Sequence, residues 1–452
     1  MVHCFENQGK YFCADTNSGA VHLLDRTAYS LLGELLAQGL TCSSPTLPDS
    51  LLDELSISGG FDAEALRDSY SELRELALAG QLFAPDECES FAHSLQPAPL
   101  KSMCLNVAHD CNLRCEYCFA AQGDFGTGRK LMPPNVARAA VDFLVAHSGG
   151  RRNLELDFFG GEPLMNWQVV KDTVTYARGL AEKNGKKFRF TITTNGLLLD
   201  EEKIAFINRE MGNVVLSLDG RREIHDAMRP TPNGRGSYEL VVPLYQRLVE
   251  ERGDKEYYVR GTFTRNNLDF ARDVMHMADL GFRKLSMEPA VLDEAVPYAL
   301  REEDLPVIFR EYDNLTAMLA KRPDISFFHF MLDLGQGPCV LKRLRGCSCG
   351  NEYCAVTPEG DIYPCHQFVG LEQWHMGNVL SGAWDKQKQA ELVRSHLYNK
   401  PECRKCWAKF YCGGGCNAAN FLYQGTVLSP SPLSCALERK RVECAIALAA
   451  AK

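Results

Sequence analysis

Residues 103–119 read Met-Cys-Leu-Asn-Val-Ala-His-Asp-Cys-Asn-Leu-Arg-Cys-Glu-Tyr-Cys-Phe, and they decide the fold and the chemistry of the middle of the chain. The apolar segment Met103–Ala108 predicts a β-strand. Three cysteines spaced CX3CX2C (Cys111, Cys115 and Cys118) follow that strand on one loop. Three thiolates can hold three irons of a [4Fe–4S] cube and leave the fourth iron open. A structural zinc site takes four protein ligands, so this loop predicts an iron–sulfur cluster.

Strands and helices alternate from this loop to about residue 297. The pattern predicts strands over Met103–Ala108, Leu154–Phe159, Phe188–Thr193, Val214–Leu218, Tyr258–Thr264 and Lys284–Met287. Helical periodicity lies between them, over Asn135–His147, Asn166–Lys183, Glu202–Glu210, Tyr238–Glu251 and Leu268–Leu280. Such repeats predict an α/β fold with a parallel sheet, as an open or partial barrel. Its active site is expected at the C-terminal ends of the strands.

The alternating region lies between two parts of different composition. Residues 1–84 predict a compact unit of short strands and helices, and the proline-containing stretch 85–100 predicts a linker. The barrel is expected over 101–300, followed by a helical bridge over 301–338. Residues 339–452 predict a cysteine-rich domain, because eleven of the nineteen cysteines lie between Cys339 and Cys444.

Composition and charge exclude several classes of protein. No run of about 18 apolar residues is present, so no transmembrane helix is predicted. The first residues lack a secretory signal, so we expect a cytoplasmic protein without a membrane partner. The net charge of −9 argues against a nucleic-acid partner. An odd number of cysteines without an export signal favours metal or cluster ligation over disulfides.

The cysteine loop, with an aromatic residue before its last cysteine, resembles the radical S-adenosylmethionine (SAM) superfamily. Three more motifs follow in order: Gly-Gly-Glu-Pro at 160–163, Thr-Thr-Asn-Gly at 193–196, and VVLSLDGRREIHDAMRP at 214–230. The resemblance implies a catalytic cluster on Cys111, Cys115 and Cys118, together with a SAM site. It implies these cofactor-binding residues: Tyr117, Gly160, Gly161, Glu162, Thr194, Ser217, Arg229 and Ala290.

The C-terminal part resembles the SPASM extension, which holds two auxiliary [4Fe–4S] clusters. It contains CX12GX4C from Cys347 and CX2CX5CX3C from Cys403. Carried over residue by residue, the resemblance implies cluster I on Cys347, Cys365 and Cys416. It implies cluster II on Cys403, Cys406, Cys412 and Cys435, so that the protein would hold three clusters.

The fourth ligand of cluster I stays open at this point. Cys339 is the best upstream candidate, and Cys349 and Cys354 are further thiols in the segment. Alternatively, one iron is left for a substrate thiolate. If the CX2C pairs are taken in isolation, a zinc ribbon is the competing interpretation.

His366 separates this chain from one branch of the family. In SPASM enzymes that oxidise a serine or cysteine of sulfatases, an aspartate directly follows the cysteine that matches Cys365. Here that residue is His366, so oxidation of an alcohol or thiol to an aldehyde is disfavoured.

The N-terminal unit narrows the function further. Residues 1–25 (MVHCFENQGKYFCADTNSGAVHLLD) and the helices after them resemble the peptide-recognition domain of maturases of ribosomally made peptides. Together with AVTPEGDIYPCHQFVG at 355–370, they are similar to the thioether-forming maturases of six-cysteine (SCIFF) peptides, which are sactipeptide or ranthipeptide synthases. The implied architecture is a partial (β/α)6 barrel with an N-terminal winged-helix-like domain and a C-terminal SPASM domain.

This resemblance implies an enzyme that installs intramolecular Cys thioether crosslinks in a cysteine-rich precursor peptide. The precursor's leader would bind the N-terminal domain, and a ferredoxin or flavodoxin would supply electrons. Residues 1–100 hold fifteen acidic and four basic residues, which favours a leader that carries Lys or Arg. The alternatives are another radical reaction, such as a C–C crosslink or epimerisation, and a non-catalytic Fe–S or zinc scaffold that binds peptides.

Overall fold

The computed structural model describes residues 1–57, 59–332, 334 and 343–451, and it begins with a small antiparallel sheet. The strands pair in the order β1-β2-β3, and three helices follow. Gln8 and Gly9 have φ values of 52° and 71°, as the two-residue turn between β1 and β2 requires. The elements are β1 (Val2–Asn7), β2 (Lys10–Asp15), β3 (Val21–Leu24), α1 (Arg26–Ala37), α2 (Asp49–Ile57) and α3 (Ala63–Leu78).

Both faces of this small sheet are covered. Cys13 packs on one face against buried residues of α1 and α3, among them Leu31 and Leu66. Phe5 and Phe12 pack on the other face against the C-terminal helix, at Ile446. Strand β3 pairs with β2 and forms an edge of the sheet over the described residues.

The central sheet matches the predicted alternation of strands and helices. Its strands are β4 (Ser102–His109), β5 (Lys130–Leu131), β6 (Asn153–Gly160), β7 (Lys187–Thr194), β8 (Asn213–Ser217), β9 (Tyr258–Phe263), β10 (Lys284–Pro289) and β11 (Ser326–Phe327). The helices after α3 are α4 (Glu89–His93), α5 (Pro134–His147), α6 (Trp167–Asn184), α7 (Glu201–Glu210), α8 (Arg222–Met228), α9 (Tyr238–Arg252), α10 (Phe270–Asp279) and α11 (Leu305–Ala320).

The sheet is a partial barrel. The strands β4 and β6 to β11 are parallel to their neighbours in this series, and over the described residues the main strand order is an open path. The short strand β5 lies off this path and pairs antiparallel with β4. In β6, Leu154, Leu156 and Phe158 are fully buried, whereas Glu155 and Asp157 alternate with them and are partly exposed. Because alternate side chains lie on opposite faces of a strand, the buried set packs under the helices. The polar set lies on the inner face.

The cysteine-rich domain extends this sheet. Strand β12 (Tyr353–Val356) pairs in parallel with β4, on the side away from β6. The remaining elements are β13 (Asp361–Tyr363), β14 (Gly377–Asn378), β15 (Ala383–Trp384), α12 (Lys386–Arg394), α13 (Pro401–Arg404), α14 (Lys409–Cys412), α15 (Asn417–Gln424) and α16 (Pro432–Ala449). The pairing of β12 with β4 joins the predicted auxiliary-cluster region directly to the strand that leads into Cys111.

The segments on either side of the barrel also contact the C-terminal part. In the predicted linker, Ala92 of α4 packs against Leu397 and Phe410. The predicted bridge contains α11, and part of it lies outside the described residues. The predicted ligand Cys339 also lies outside the described residues. None of the described helices combines the length and apolar character needed to cross a bilayer.

Candidate active site and cluster-binding loops

Cys111, Cys115 and Cys118 lie on the loop after β4, as predicted. The amide of Cys118 donates to the carbonyl of Cys115 over 3.3 Å, and the amide of Leu113 donates to Sγ of Cys111 over 3.4 Å. Burial raises the pKa of Cys111 to about 12, and the nearby thiols of Cys115 and Cys118 contribute to the rise. Three mutually close thiols on one tightly turned loop are a donor set suited to a [4Fe–4S] cluster.

Glycines allow this loop to lie directly on the end of β6. A Cβ on Gly161 would lie 2.2 Å from the carbonyl oxygen of Asp110, and a Cβ on Gly160 would lie 2.3 Å from that of Ala108. The amide of Gly161 donates to the carbonyl of Ala108 over 2.8 Å. Gly160 and Gly161 are therefore required where β6 meets the segment immediately before the first cysteine.

Glu162 links the ends of β6 and β7. Its fully buried carboxylate accepts hydrogen bonds from the amide of Leu164 at 3.0 Å, the hydroxyl of Thr194 at 2.7 Å and the amide of Asn195 at 2.8 Å. Burial raises the pKa of Glu162 to about 7, while these three donors act to lower it. The side chains of Glu162 and Thr194 thus position the strand ends. Asn195 donates to Sγ of Cys111 over 3.5 Å, so this network reaches the cysteine loop.

Arg229 and Tyr117 meet at Asp219. The guanidinium of Arg229 donates to both oxygens of Asp219, over 2.9 Å from Nε and 3.1 Å from Nη2, and the hydroxyl of Tyr117 donates over 2.5 Å. The amide of Thr262 also donates to Asp219, over 2.9 Å. The sequence motifs did not single out this fully buried aspartate, although its position directly after the predicted strand Val214–Leu218 was a signal. It leaves Nη1 of Arg229 for the predicted cofactor contact.

The last two predicted cofactor residues lie at neighbouring strand ends. Ser217 ends β8, and Ala290 directly follows β10. The amide of Ala290 donates to the carbonyl of Phe263 over 2.9 Å. Their contacts with SAM remain predictions.

The predicted ligands of cluster I lie together. The thiols of Cys347 and Cys416 lie close enough to Cys365 to add to the rise that burial causes in its pKa. Cys349 joins them: the nearby thiol of Cys347 and burial raise its pKa, and its Sγ accepts from Nδ2 of Asn417 over 3.5 Å. Of the candidates for the fourth ligand, Cys349 therefore lies within this group. Cys354 lies in β12 with a fully buried side chain.

The four predicted ligands of cluster II also form one group. The pKa of Cys412 is raised by burial and by the nearby thiols of Cys403 and Cys435, and Cys406 acts on Cys435 in the same direction. Spacing in the sequence therefore identified a group of thiols that the fold brings together from α13, α14 and α16.

A buried lysine lies between the two groups. Lys400 is 1% exposed, and its ammonium donates to the carbonyl of Gly414 over 2.8 Å and to Oδ1 of Asn417 over 2.9 Å. Burial lowers its pKa, whereas thiols of both groups, among them Cys403 and Cys349, raise it. Within the described part of the chain the ammonium has no carboxylate partner. A buried cation needs a compensating charge, and cluster-bound thiolates on both sides would supply it.

The described residues contain no group of three Cys, His, Asp or Glu side chains placed to hold a single metal ion. Each cysteine of an iron–sulfur cluster binds a different iron, so cluster ligands need not converge on one point. The two C-terminal groups and the loop after β4 are therefore compatible with [4Fe–4S] clusters.

His366 connects cluster I to the barrel. Its ring packs against that of Phe159, with centroids 4.8 Å apart and the planes tilted by 35°, and its Nδ1 lies 3.2 Å from the hydroxyl of Tyr353. Burial lowers the pKa of His366 to about 4, and Arg260 contributes to this shift. Phe159 directly precedes Gly160 and His366 directly follows Cys365, so this contact joins the two segments that carry the predicted SAM site and the predicted cluster I.

Two family models match the chain. Residues 105–257 match the radical SAM superfamily, and residues 347–407 match the SPASM iron–sulfur cluster-binding domain. The chain therefore contains a radical SAM domain and a SPASM domain, which imply [4Fe–4S] clusters and SAM.

Curated relatives and solved structures agree with these matches. The cysteine-type anaerobic sulfatase-maturating enzyme of Clostridium perfringens is 25% identical over 70% of this chain and 89% of its own length. The serine-type anaerobic sulfatase-maturating enzyme of Klebsiella aerogenes is 22% identical over 72% of this chain and 82% of its own length. The structure of anSMEcpe with AdoMet and the Kp18Cys peptide has a TM-score of 0.64 at 22% identity, covering 78% of this chain and 99% of that one.

A second solved structure extends the likeness to the N-terminal part. SuiB of Streptococcus suis, bound to S-adenosylmethionine, has a TM-score of 0.54 at 15% identity and covers 96% of this chain and 98% of that one. The partial barrel with its C-terminal SPASM domain is thus confirmed, and over about 70% of its length the chain is similar to the anaerobic sulfatase-maturating enzymes. The specific likeness to SCIFF maturases stays a prediction.

Proposed function

We propose that this radical SAM and SPASM protein is a peptide maturase that forms intramolecular Cys thioether bonds in a cysteine-rich precursor peptide. The observation that carries the proposal is the packing of the His366 ring against that of Phe159, with ring centroids 4.8 Å apart and the planes tilted by 35°. It supports a reaction space with the predicted SAM-binding strand ends on one side and Cys365 on the other. A peptide that occupies this space would bring one carbon towards SAM while a thiol lies near Cys365.

When bound, the reduced cluster and SAM supply a 5′-deoxyadenosyl radical, which takes a hydrogen atom from a peptide carbon. The peptide thiol loses its proton, the carbon–sulfur bond forms, and one electron leaves. The residues of the two C-terminal cysteine groups would hold the clusters that accept this electron. The protein's own contribution is to orient the peptide and to exclude water around it.

The N-terminal sheet supports binding of a leader peptide. Its two faces are covered, whereas β3 pairs with β2 alone among the described strands. A leader would add to β3 as a further strand through main-chain hydrogen bonds. The acidic surplus of residues 1–100 favours a leader with Lys or Arg.

Two comparisons bear on the choice of reaction. The solved anSMEcpe structure, which is similar in fold to this chain, contains the Kp18Cys peptide. That likeness supports a peptide substrate for this chain. Where sulfatase oxidation uses an aspartate after the cluster I cysteine, this chain has His366. That difference favours bond formation by the thiol over its oxidation to an aldehyde. A ferredoxin or flavodoxin would supply the electron that starts each turnover.

Mass spectrometry tests the proposal. The reconstituted enzyme is incubated anaerobically with reductant, SAM and a cysteine-rich precursor encoded beside it, and the product is alkylated. We expect each event to remove two hydrogen atoms and to leave one thiol that no longer reacts. The same mass loss with all thiols still reactive would contradict thioether formation and would indicate a C–C crosslink. Release of 5′-deoxyadenosine with an unchanged peptide mass would indicate epimerisation, and no release at all would indicate a scaffold.

A further inference from the structure

The inner face of the barrel carries one arginine with unused hydrogen-bonding capacity. Arg260 lies in β9, where Val259 and Phe263 are fully buried beneath the helices while the side chain of Arg260 is 52% exposed. Since alternate residues of a strand lie on opposite faces, Arg260 lies on the inner face. Among the described residues its guanidinium makes no hydrogen bond, and its charged contact is Oε1 of Glu288, 3.6 Å from Nη2.

The position of Arg260 coincides with the reaction space of the proposed function. It is the direct parallel neighbour of Ser217, the predicted SAM contact at the end of β8. On its other side it pairs with Ser286 of β10. Arg260 therefore lies on the inner face of the barrel, beside the predicted SAM contact at the end of β8.

The groups behind Arg260 hold Glu288 in place. Glu288 lies 3.3 Å from Nε2 of His329 and 3.5 Å from Nη2 of Arg441. Arg441 is itself 8% exposed, and its Nε donates to the hydroxyl of Tyr312 over 2.8 Å. Burial would raise the pKa of Glu288, but His329, Arg260 and Arg441 lower it to about 2. Glu288 is thus a fixed anion that orients Arg260 without satisfying its donors.

Building on the proposed function, we infer that Arg260 is a positioning residue that binds oxygen acceptors of the substrate peptide beside the reacting carbon. A guanidinium presents a planar set of N–H donors that matches two oxygens at once. Both a side-chain carboxylate and main-chain carbonyls offer such oxygens. By fixing the peptide next to the radical, this contact would couple each SAM cleavage to a modified product.

The test compares the wild-type holoenzyme with Arg260→Gln, Arg260→Lys and the control Arg247→Gln. Arg247 is also partly exposed and paired with glutamates, but it lies on the outer helix α9. We expect Arg260→Gln to raise the KM for the precursor about tenfold or more and to release more 5′-deoxyadenosine per crosslink. Arg260→Lys should recover part of the coupling. The KM for SAM, the cluster EPR signals and leader affinity should stay unchanged in every variant.

Peptide variants separate the two sources of oxygen. If Arg260 binds a carboxylate, changing one Asp or Glu of the precursor to its amide should raise the KM and uncouple the wild-type enzyme as Arg260→Gln does. The same peptide should cause no further loss with the Arg260→Gln enzyme. If main-chain carbonyls are bound, no such peptide variant should do so. A wild-type KM for the precursor and wild-type coupling in Arg260→Gln would overturn this inference and leave the proposed function intact. Failure of the wild-type enzyme to modify the peptide at all would contradict the proposed function and this inference with it.

Discussion

In Cys115→Ala, release of 5′-deoxyadenosine from SAM is expected to fall to background. Cys115 lies between Cys111 and Cys118 on the loop after β4, and all three thiols are needed to hold three irons of a cluster. The loop is tied to the C-terminal end of α8, where the amide of Glu116 donates to the carbonyl of Met228 over 3.0 Å. The variant therefore keeps the loop but lacks one ligand. The measurement is 5′-deoxyadenosine per enzyme after anaerobic reconstitution and reduction.

Cys42→Ala is the matched control for this variant. Cys42 is 2% exposed and belongs to the core of the N-terminal domain, away from all three predicted cluster sites. It should retain wild-type SAM cleavage and iron content. Cleavage by Cys115→Ala at the wild-type rate would contradict the assignment of the loop as the cluster site.

Gly161→Ala is expected to lose the cluster by moving the backbone beneath it. The added Cβ would lie 2.2 Å from the oxygen of Asp110 and 2.9 Å from Cα of Gly123, and both obstacles are main-chain atoms that cannot rotate away. Overpacking of this kind costs about 3 kcal/mol. We therefore expect a lower free energy of unfolding for the apoprotein, less iron after reconstitution and little SAM cleavage.

Gly179→Ala is expected to change the stability of the protein in the opposite direction. Gly179 lies in α6, and a Cβ there would meet nothing within 4 Å. Replacing a helical glycine by alanine stabilises by about 0.5–1 kcal/mol. Denaturant unfolding and iron analysis of the two variants should therefore give opposite changes in stability. A Gly161→Ala protein with full iron and wild-type cleavage would show that the contact between β6 and the loop is dispensable.

Local patterns predicted the parts of the fold that local forces determine. The strand expected over Phe188–Thr193 is observed as Lys187–Thr194, and the helix expected over Tyr238–Glu251 is observed as Tyr238–Arg252. These elements have one apolar face with regular spacing, which the sequence displays directly. The short helices α2 and α8 were not predicted. Helix α8 is only seven residues long and buries just His225 and Met228, so its sequence shows too little apolar periodicity to reveal a helix.

Long-range contacts explain what the sequence could not reveal. Asp219 follows β8 in the sequence, but its partners Tyr117 and Thr262 come from distant segments. Lys400 is an ordinary lysine in the sequence, and its position between two groups of thiols depends on the packing of α13 and α15. Likewise, the sequence offered three thiols for the fourth ligand of cluster I. The fold brings Cys349 to the group, whereas Cys354 lies fully buried in β12.

For Glu162 the sequence predicted the position of the residue but not the hydrogen-bond partners of its side chain. The motif located this residue at the end of β6, where the resemblance implied a cofactor contact. Its carboxylate accepts hydrogen bonds from Leu164, Thr194 and Asn195, and its contact with SAM stays a prediction. A motif locates the strand end that forms a site, whereas hydrogen-bond partners decide which atoms are free to bind.

Transfer of deuterium from the peptide to SAM-derived product is the most direct test of the central claim, that a radical formed at the loop after β4 acts on a peptide held next to Cys365. The precursor peptide is deuterated at carbon, exchanged in ordinary water and incubated with enzyme, reductant and unlabelled SAM. We predict that the released 5′-deoxyadenosine contains deuterium and that the modified peptide has lost it at the crosslinked carbon. Modified peptide accompanied by 5′-deoxyadenosine without deuterium would contradict the account.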